Sequence, residues 1–208
     1  MLPEMKTSAK NVTLVLGGAQ SGKSYYAQQL ASDFRRVALI ATAQPGDAEM
    51  RRKIARHRRE RPATWKTIEA PLHLGEAIRS ASESADVVLV DCLTVYVSNV
   101  MGARKAKRDP QEHIEAVCSA IRASKACVVA VSNEVGSGVV PAYRSGRIYR
   151  DLLGQMNQRV AQIADRVVLM FAGVPVTVKD LRAGETNSNA ALEFATSAEF
   201  ANGVRRRT

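Results

Sequence analysis

An α/β fold, with a mostly parallel sheet covered by helices on both faces, is what this sequence predicts, and three observations carry the expectation. Short apolar runs alternate with longer stretches of helical periodicity, the pattern of strand–helix–strand units. The strongest runs, Val37 to Ala41 and Val87 to Val90, are apolar throughout, as in strands buried on both faces. The last two runs are separated only by Ala172-Gly173, which suits a tight turn and a closing antiparallel hairpin.

Taken in order, Thr13 to Leu16 is a short apolar run that ends in Gly17-Gly18, the first strand. Ser24 to Phe34 places Ala27, Leu30, Ala31 and Phe34 at helical spacing. Val37 to Ala41 is the second strand, and Ala48 to Arg59 is a cationic helix closed by Pro62 shortly afterwards. An edge strand from Trp65 to Ile68 precedes a helix from about Leu72 to Ser82. Val87 to Asp91 is a third strong strand with a carboxylate at its C-terminal end. Leu93 to Val100 reads as helix, the basic Gly102 to Arg108 segment as loop, and Pro110 to Ser124 as helix. Cys127 to Ser132 is the fourth strong strand and delivers Asn133-Glu134 and a loop, Val135 to Pro141. An amphipathic helix from Gly146 to Asp165 leads into Val167 to Phe171, and Val174 to Val178 is the last strand. The organisation expected is a flexible N-terminus (1–10), one domain (11–179) and a C-terminal extension (180–208) with no strong pattern.

The 208 residues are 46% apolar and 24% charged, ordinary for a globular chain and unlike a disordered one. No apolar run approaches the ~20 residues of a spanning helix, so no transmembrane segment is expected. Cys92, Cys118 and Cys127 sit in apolar or strand-like surroundings and read as reduced cysteines of a cytoplasmic protein. The net charge of +10 is unevenly placed. Arg51 to Arg61 carries seven basic residues, Arg104 to Arg108 four and Arg205 to Arg207 three, leaving the remainder of the chain at about −3.

Gly17-Gly18-Ala19-Gln20-Ser21-Gly22-Lys23-Ser24 matches the phosphate-binding pattern G-x-x-x-x-G-K-[ST], after a strand and before a helix. The glycines let backbone N–H groups converge on phosphate oxygens at a helix N-terminus. Lys23 is expected to reach the β- and γ-phosphates and to act in catalysis, while Ser24 is expected to ligate Mg²⁺. Asp91, at a strand end, is the candidate second Mg²⁺ carboxylate. The fold class is therefore a single P-loop NTPase (RecA-like) domain.

His57 sits inside the first basic run, where charge repulsion favours a neutral imidazole able to act as a nucleophile beside guanidinium groups. Taken alone, a histidine on a charged helix reads as a surface residue, as do His73 and His113. The wider sequence changes that reading for His57. The 17–24 loop, Ile40-Ala41-Thr42, Arg56-His57-Arg58-Arg59-Glu60-Arg61-Pro62-Ala63-Thr64-Trp65 and Val90-Asp91-Cys92-Leu93-Thr94 form a recognisable set with two later segments. These are Ser132-Asn133-Glu134-Val135-Gly136-Ser137-Gly138-Val139-Val140-Pro141 and Gly154-Gln155-Met156-Asn157-Gln158. Together, from about Asn11 to Lys179, they resemble the bifunctional adenosylcobinamide kinase/adenosylcobinamide-phosphate guanylyltransferases of cobalamin biosynthesis.

The resemblance implies two reactions. Adenosylcobinamide is phosphorylated by ATP or GTP; GMP then passes from GTP, through a GMP-histidine, to the phosphorylated cobinamide, giving adenosylcobinamide-GDP and pyrophosphate. His57 occupies the place of the residue that carries GMP. The resemblance also puts Ala41, Thr42, Ala43, Arg58, Arg59, Glu60, Arg61, Glu69 and Asp91 at the nucleotide. Glu69 suits the N1–H and N2–H₂ edge of guanine, which adenine does not offer. Glu134 is a candidate base for the cobinamide hydroxyl, or else a residue that orients its loop. The family further implies a homo-oligomer, with a trimer the expected form.

Two positions depart from the family pattern: Arg56 stands where some relatives carry a second histidine, and Asp91 where glutamate is often found. Two other readings compete. A small-molecule P-loop kinase would leave His57 unmodified. A nucleic-acid-binding ATPase would use the positive charge, but aromatic residues are only 5% of the chain and none lies in the basic runs, so no nucleic-acid partner is expected.

Overall fold

The computed structural model describes residues 11–46, 48–59, 62–103 and 109–181, without the side chains of Glu49, Met50, Lys53, Arg56 and His57. The candidate residues Glu60 and Arg61, the 104–108 run, the 1–10 segment and nearly all of the C-terminal extension lie outside the described residues.

The described chain runs β1 (Val12–Gly17), α1 (Lys23–Ser32), β2 (Val37–Ala41), α2 (Ala48–Arg59), β3 (Lys66–Glu69) and α3 (Leu74–Ser82). It continues through β4 (Val87–Asp91), α4 (Leu93–Gly102), α5 (Pro110–Ala123), β5 (Cys127–Val131), α6 (Arg144–Ile163), β6 (Arg166–Phe171) and β7 (Val174–Asp180). One sheet of order β3-β2-β4-β5-β1-β6-β7 contains all seven strands. Every pairing is parallel except β6 with β7.

The inner strands β1, β2, β4, β5 and β6 bury side chains on both faces, which is why their sequences are largely apolar; the edge strands β3 and β7 are mostly exposed. On one face Leu14, Ile40, Val88, Val90, Val128 and Ala130 pack with residues of α3 to α6, among them Ile78, Tyr96, Ile121 and Leu153. On the other, Val15, Leu39, Leu89, Val129 and Val168 pack with Tyr26, Ala27 and Leu30 of α1. Period-2 alternation thus survives within each of the inner strands, but both registers end in core.

Local chemistry sets the element ends. Asp109 caps α5 by accepting from Gln111 N at 3.0 Å, with Pro110 in the first turn, where a missing N–H costs nothing. Ala172 (φ 50°) and Gly173 (φ 84°) form the two-residue turn with positive φ that matches hairpin twist. β7 extends two residues past the expected Val178, because Asp180 lies opposite Arg166 and their side chains approach to 3.6 Å.

His73 is exposed, its Nδ1 3.6 Å from Glu76 Oε1. His113 departs from the surface reading: it is half-buried, with Nδ1 3.1 Å from the Tyr96 hydroxyl and the two rings packed edge to face. Periodicity could not show this, since the contact joins α4 to α5.

Candidate nucleotide site

The strand order creates the site. β5 lies between β1, which carries the phosphate loop, and β4, which carries Asp91. The parallel register then lines up Glu69, Ala41, Asp91 and Val131 in one row across β3, β2, β4 and β5. These are C-terminal strand ends, where ligands bind in open parallel sheets.

Gly17 ends β1 at φ 151°, and a Cβ there would stand 2.5 Å from Met170 O and 2.7 Å from Ser21 Oγ. Only glycine lets the chain turn into the loop at this point. Gly22 precedes α1 in a left-handed conformation and supplies no side-chain cap, so the first N–H groups of α1 are left for an anionic ligand. Lys23 is buried at 7% exposure, and its Nζ donates to Gly18 O and lies 3.4 Å from Ser21 Oγ. Its charge is thereby folded over the loop that would cradle phosphate.

Ser24 Oγ donates to Asp91 Oδ1 at 3.3 Å. Two hard oxygen donors beside a phosphate loop fit Mg²⁺, which takes few protein ligands and keeps phosphates and water. Among the described residues no group of three or more His, Cys, Asp or Glu could hold a metal by itself.

A cavity of about 1260 Å³ runs from this loop to α2. Ala19, Gln20, Ser21, Gly22, Lys23 and Ser24 line one part, and Ala41, Ala43, Asp91 and Asn133 line the strand ends. Arg51, Arg58 and Arg59 of α2, with Glu69 of β3, line another part. Arg58 Nη2 pairs with Glu69 Oε1, both side chains well exposed, so the pair contributes little stability. Its importance is positional, since it joins the cationic helix to the sheet edge. His57 immediately precedes Arg58 on α2.

Thr42 and Glu134 stand differently from the rest. Thr42 is fully buried and does not line the cavity; its Oγ1 donates to Cys92 O at 2.8 Å and accepts from Cys92 N at 3.0 Å. Thr42 N donates to Asp91 O at 3.2 Å, and Asn99 Nδ2 donates to Thr42 O at 2.8 Å. Thr42 therefore clasps the Asp91-Cys92 linkage, whose peptide bond is cis. The Glu134 carboxylate accepts from Gly136 N at 2.5 Å and is not among the cavity-lining residues. A carboxylate bonded to the N–H two residues on is the contact expected if Glu134 orients its loop.

Asn133, Thr94 and Val95 line the cavity without having been singled out individually from the sequence. The available signal for Asn133 was its place in the Ser132 to Pro141 segment, directly after a strand. Tyr149, whose hydroxyl donates to Thr94 O at 3.3 Å, has its pKa pushed up to about 12 by burial, with a smaller contribution from Cys92. It therefore stays a protonated donor.

Comparison with known proteins agrees with this geometry. A family model described as cobinamide kinase / cobinamide phosphate guanyltransferase matches residues 13–178. The bifunctional adenosylcobalamin biosynthesis protein CobP of Pseudomonas aeruginosa is 42% identical over 167 residues, 80% of this chain and 96% of that protein. The bifunctional adenosylcobalamin biosynthesis protein CobU of Escherichia coli K12 is 39% identical over 178 residues, 80% of this chain and 98% of that protein. The assembled ATPase EscN of the enteropathogenic E. coli type III secretion system has a TM-score of 0.53 at 11% identity. It covers 81% of this chain and 48% of its own, a likeness of fold alone.

Proposed function

The chain belongs to the cobinamide kinase / cobinamide phosphate guanyltransferase family, and from that premise we propose how its own residues divide the two reactions. It is a bifunctional transferase of cobalamin biosynthesis: it phosphorylates adenosylcobinamide and then converts the product to adenosylcobinamide-GDP with GTP, releasing pyrophosphate. Family membership does not favour the alternative of a nucleic-acid-binding ATPase.

In the kinase step the cobinamide hydroxyl oxygen bonds to the γ-phosphorus of ATP or GTP as the bond to the β,γ-bridging oxygen breaks. Lys23 and the N–H groups of the 17–24 loop hold the β- and γ-phosphates. Ser24 and Asp91 would hold Mg²⁺, which supplies neutralisation of phosphate charge when bound. Positioning and electrostatics are most of what such a transfer requires.

In the second step His57 attacks the α-phosphorus of GTP, pyrophosphate leaves, and the phosphate of the phosphorylated cobinamide displaces the histidine. A phosphoramidate splits one difficult transfer into two. Arg58 and Arg59 face the triphosphate and Glu69 reads the guanine edge; Glu60 and Arg61, outside the described residues, are assigned to the nucleotide by the resemblance alone. The single observation that carries this division is that Arg58 and Glu69 line the same cavity as Lys23 and Asp91. The side of that cavity bearing the His57 segment therefore serves a nucleotide.

Incubation with α-labelled GTP tests it. An acid-labile, alkali-stable protein adduct is expected in the parent and absent from His57→Ala. An adduct that survives the substitution would remove His57 from the reaction.

A homo-oligomer, with a trimer the expected form, is supported by β7. Val174, Val176 and Val178 alternate along it at 47–60% exposure, with Phe171 and Leu181 at 72% and 67%. Light scattering of the purified chain gives the mass; a monomer at working concentration would reject the oligomer. A cytoplasmic location follows from the same reading, because the reactions consume ATP and GTP.

A further inference from the structure

Two segments marked out in the sequence, Ser132 to Pro141 and Gly154 to Gln158, meet in the structure at one residue. Asn157, 6% exposed on α6, donates its Nδ2 to the Asn133 carbonyl at 3.0 Å. From the other side, the Asn133 N–H donates to Thr94 Oγ1 at 2.7 Å at the start of α4, where Thr94 is 8% exposed. Tyr149 in turn donates to Thr94 O. The residues before and after Asn133 are tied to β1, Ser132 N to Val15 O and Glu134 N to Gly17 O, both at 3.0 Å.

Asn133 thus has its backbone fixed from α4 and α6, with its neighbours on both sides tied to β1, and it lines the nucleotide cavity. No hydrogen bond ties that side chain to another of the described residues. Its location is dictated by topology. Asn133 follows β5, the strand between the phosphate loop on β1 and Asp91 on β4, so it emerges between the two groups that handle the γ-phosphate end. A side-chain amide offers two donors and an acceptor with no charge. It suits a point where an anionic phosphoryl oxygen and a hydroxyl must be held together; a carboxylate there would repel the phosphate.

Resting on the kinase reading above, we propose that Asn133 is a catalytic residue of phosphoryl transfer. Its Nδ2 donates to a γ-phosphoryl oxygen and its Oδ1 accepts from the cobinamide hydroxyl, with Asn157 and Thr94 as positioning residues. In the step it serves, the hydroxyl oxygen bonds to the γ-phosphorus. The bridging bond breaks with its electron pair going to the departing nucleoside diphosphate, and the hydroxyl proton passes to an oxygen of the transferred phosphoryl group. Asn133 takes no proton; it aligns acceptor and phosphorus, and its contribution is geometric and electrostatic.

Steady-state phosphorylation of adenosylcobinamide by ATP, with ATP affinity measured separately, tests this on the full chain. Asn133→Ala is expected to lower kcat by about 100-fold, the scale of losing one aligned donor, while the Kd for ATP stays within about three-fold. Asn133→Asp preserves the shape and decides the matter if the alanine variant does not fold; kcat falls and KM for ATP rises through repulsion. Asn157→Ala is expected to lower kcat about ten-fold with ATP affinity unchanged. Combined with Asn133→Ala, it should cost no more than Asn133→Ala alone, because it acts through that residue. Turnover of Asn133→Ala within about three-fold of the parent, or a loss wholly in ATP affinity, overturns the proposal. Additive losses in the double variant overturn the positioning role of Asn157. A parent with no cobinamide-kinase turnover would instead reject the function on which the proposal rests.

Discussion

Ser24 and Asp91, 67 positions apart in sequence, meet at 3.3 Å between Oγ and Oδ1. The contact joins the first turn of α1 to the end of β4 across the intervening strand β5. The contact is between side chains alone, and both residues line the cavity.

Asp91→Asn and Ser24→Ala should each lower phosphoryl-transfer kcat by about 100-fold. The Asp91 variant should also require more Mg²⁺ for half-maximal rate. On the proposal that both donors serve one ion, the double variant should lose far less than the product of the single effects. A magnesium titration of turnover checks both points; an unchanged Mg²⁺ requirement in Asp91→Asn would exclude Asp91 from the metal.

Glu69→Gln removes the charge that suits the guanine edge while keeping the side-chain shape. A hydrogen bond to a charged group contributes ~1.5–3 kcal/mol, so GTP-over-ATP selectivity in protein labelling should fall about ten-fold or more. Unchanged selectivity would exclude the guanine role of Glu69. Phosphorylation of the cobinamide, which accepts either nucleotide in this reading, should change much less.

Thr42→Val keeps the shape of a fully buried side chain and deletes the hydroxyl that both donates to and accepts from Cys92. Leaving buried polar groups without their partner costs about 1–3 kcal/mol. Urea unfolding should show that loss, and kinase turnover should fall with it because the clasp adjoins Asp91. Stability and turnover both equal to the parent would show the clasp to be dispensable.

Asp86 provides a pH test remote from the site. The Arg36 guanidinium and backbone N–H hydrogen-bond its carboxyl, holding it below the ordinary carboxylate pKa. A depressed folded-state pKa means stabilisation that is complete above the unfolded value of about 3.9 and is lost as pH falls through the folded value. The Tm difference between the parent and Asp86→Asn should therefore be largest near neutral pH and shrink as pH drops below about 4. A difference independent of pH would assign the effect to packing.

The elements were legible because they are driven by local pattern. β2, β4 and α2 have the bounds read from the sequence, Val37–Ala41, Val87–Asp91 and Ala48–Arg59, since apolar runs and the spacing of charge mark them without tertiary help. The phosphate loop was legible for the same reason, its chemistry being contiguous. What joins distant segments was not. No spacing in the chain reveals that β5 inserts between β1 and β4, and so none shows why Asn133 reaches the cavity. Thr42 shows the converse: the resemblance put it at the nucleotide, but strand alternation turns its side chain into the interior, where it holds Cys92. Ala41 and Ala43, on either side of it, line the cavity.

The position of β1 in the sheet also governs how the protein is made. β1 leaves the ribosome first among the strands, yet it pairs only with β5 and β6: Val12 lies opposite Val128, and Gly17 opposite Met170. The strand that carries the phosphate loop has no sheet partner until β5, more than 100 residues later, has been synthesised. Such pairing is slow to form, because the closure entropy of a long loop must be met before the contact gives anything back. A nascent chain truncated before β5 would carry the complete phosphate-binding motif with neither of the strands that hold β1 in the sheet.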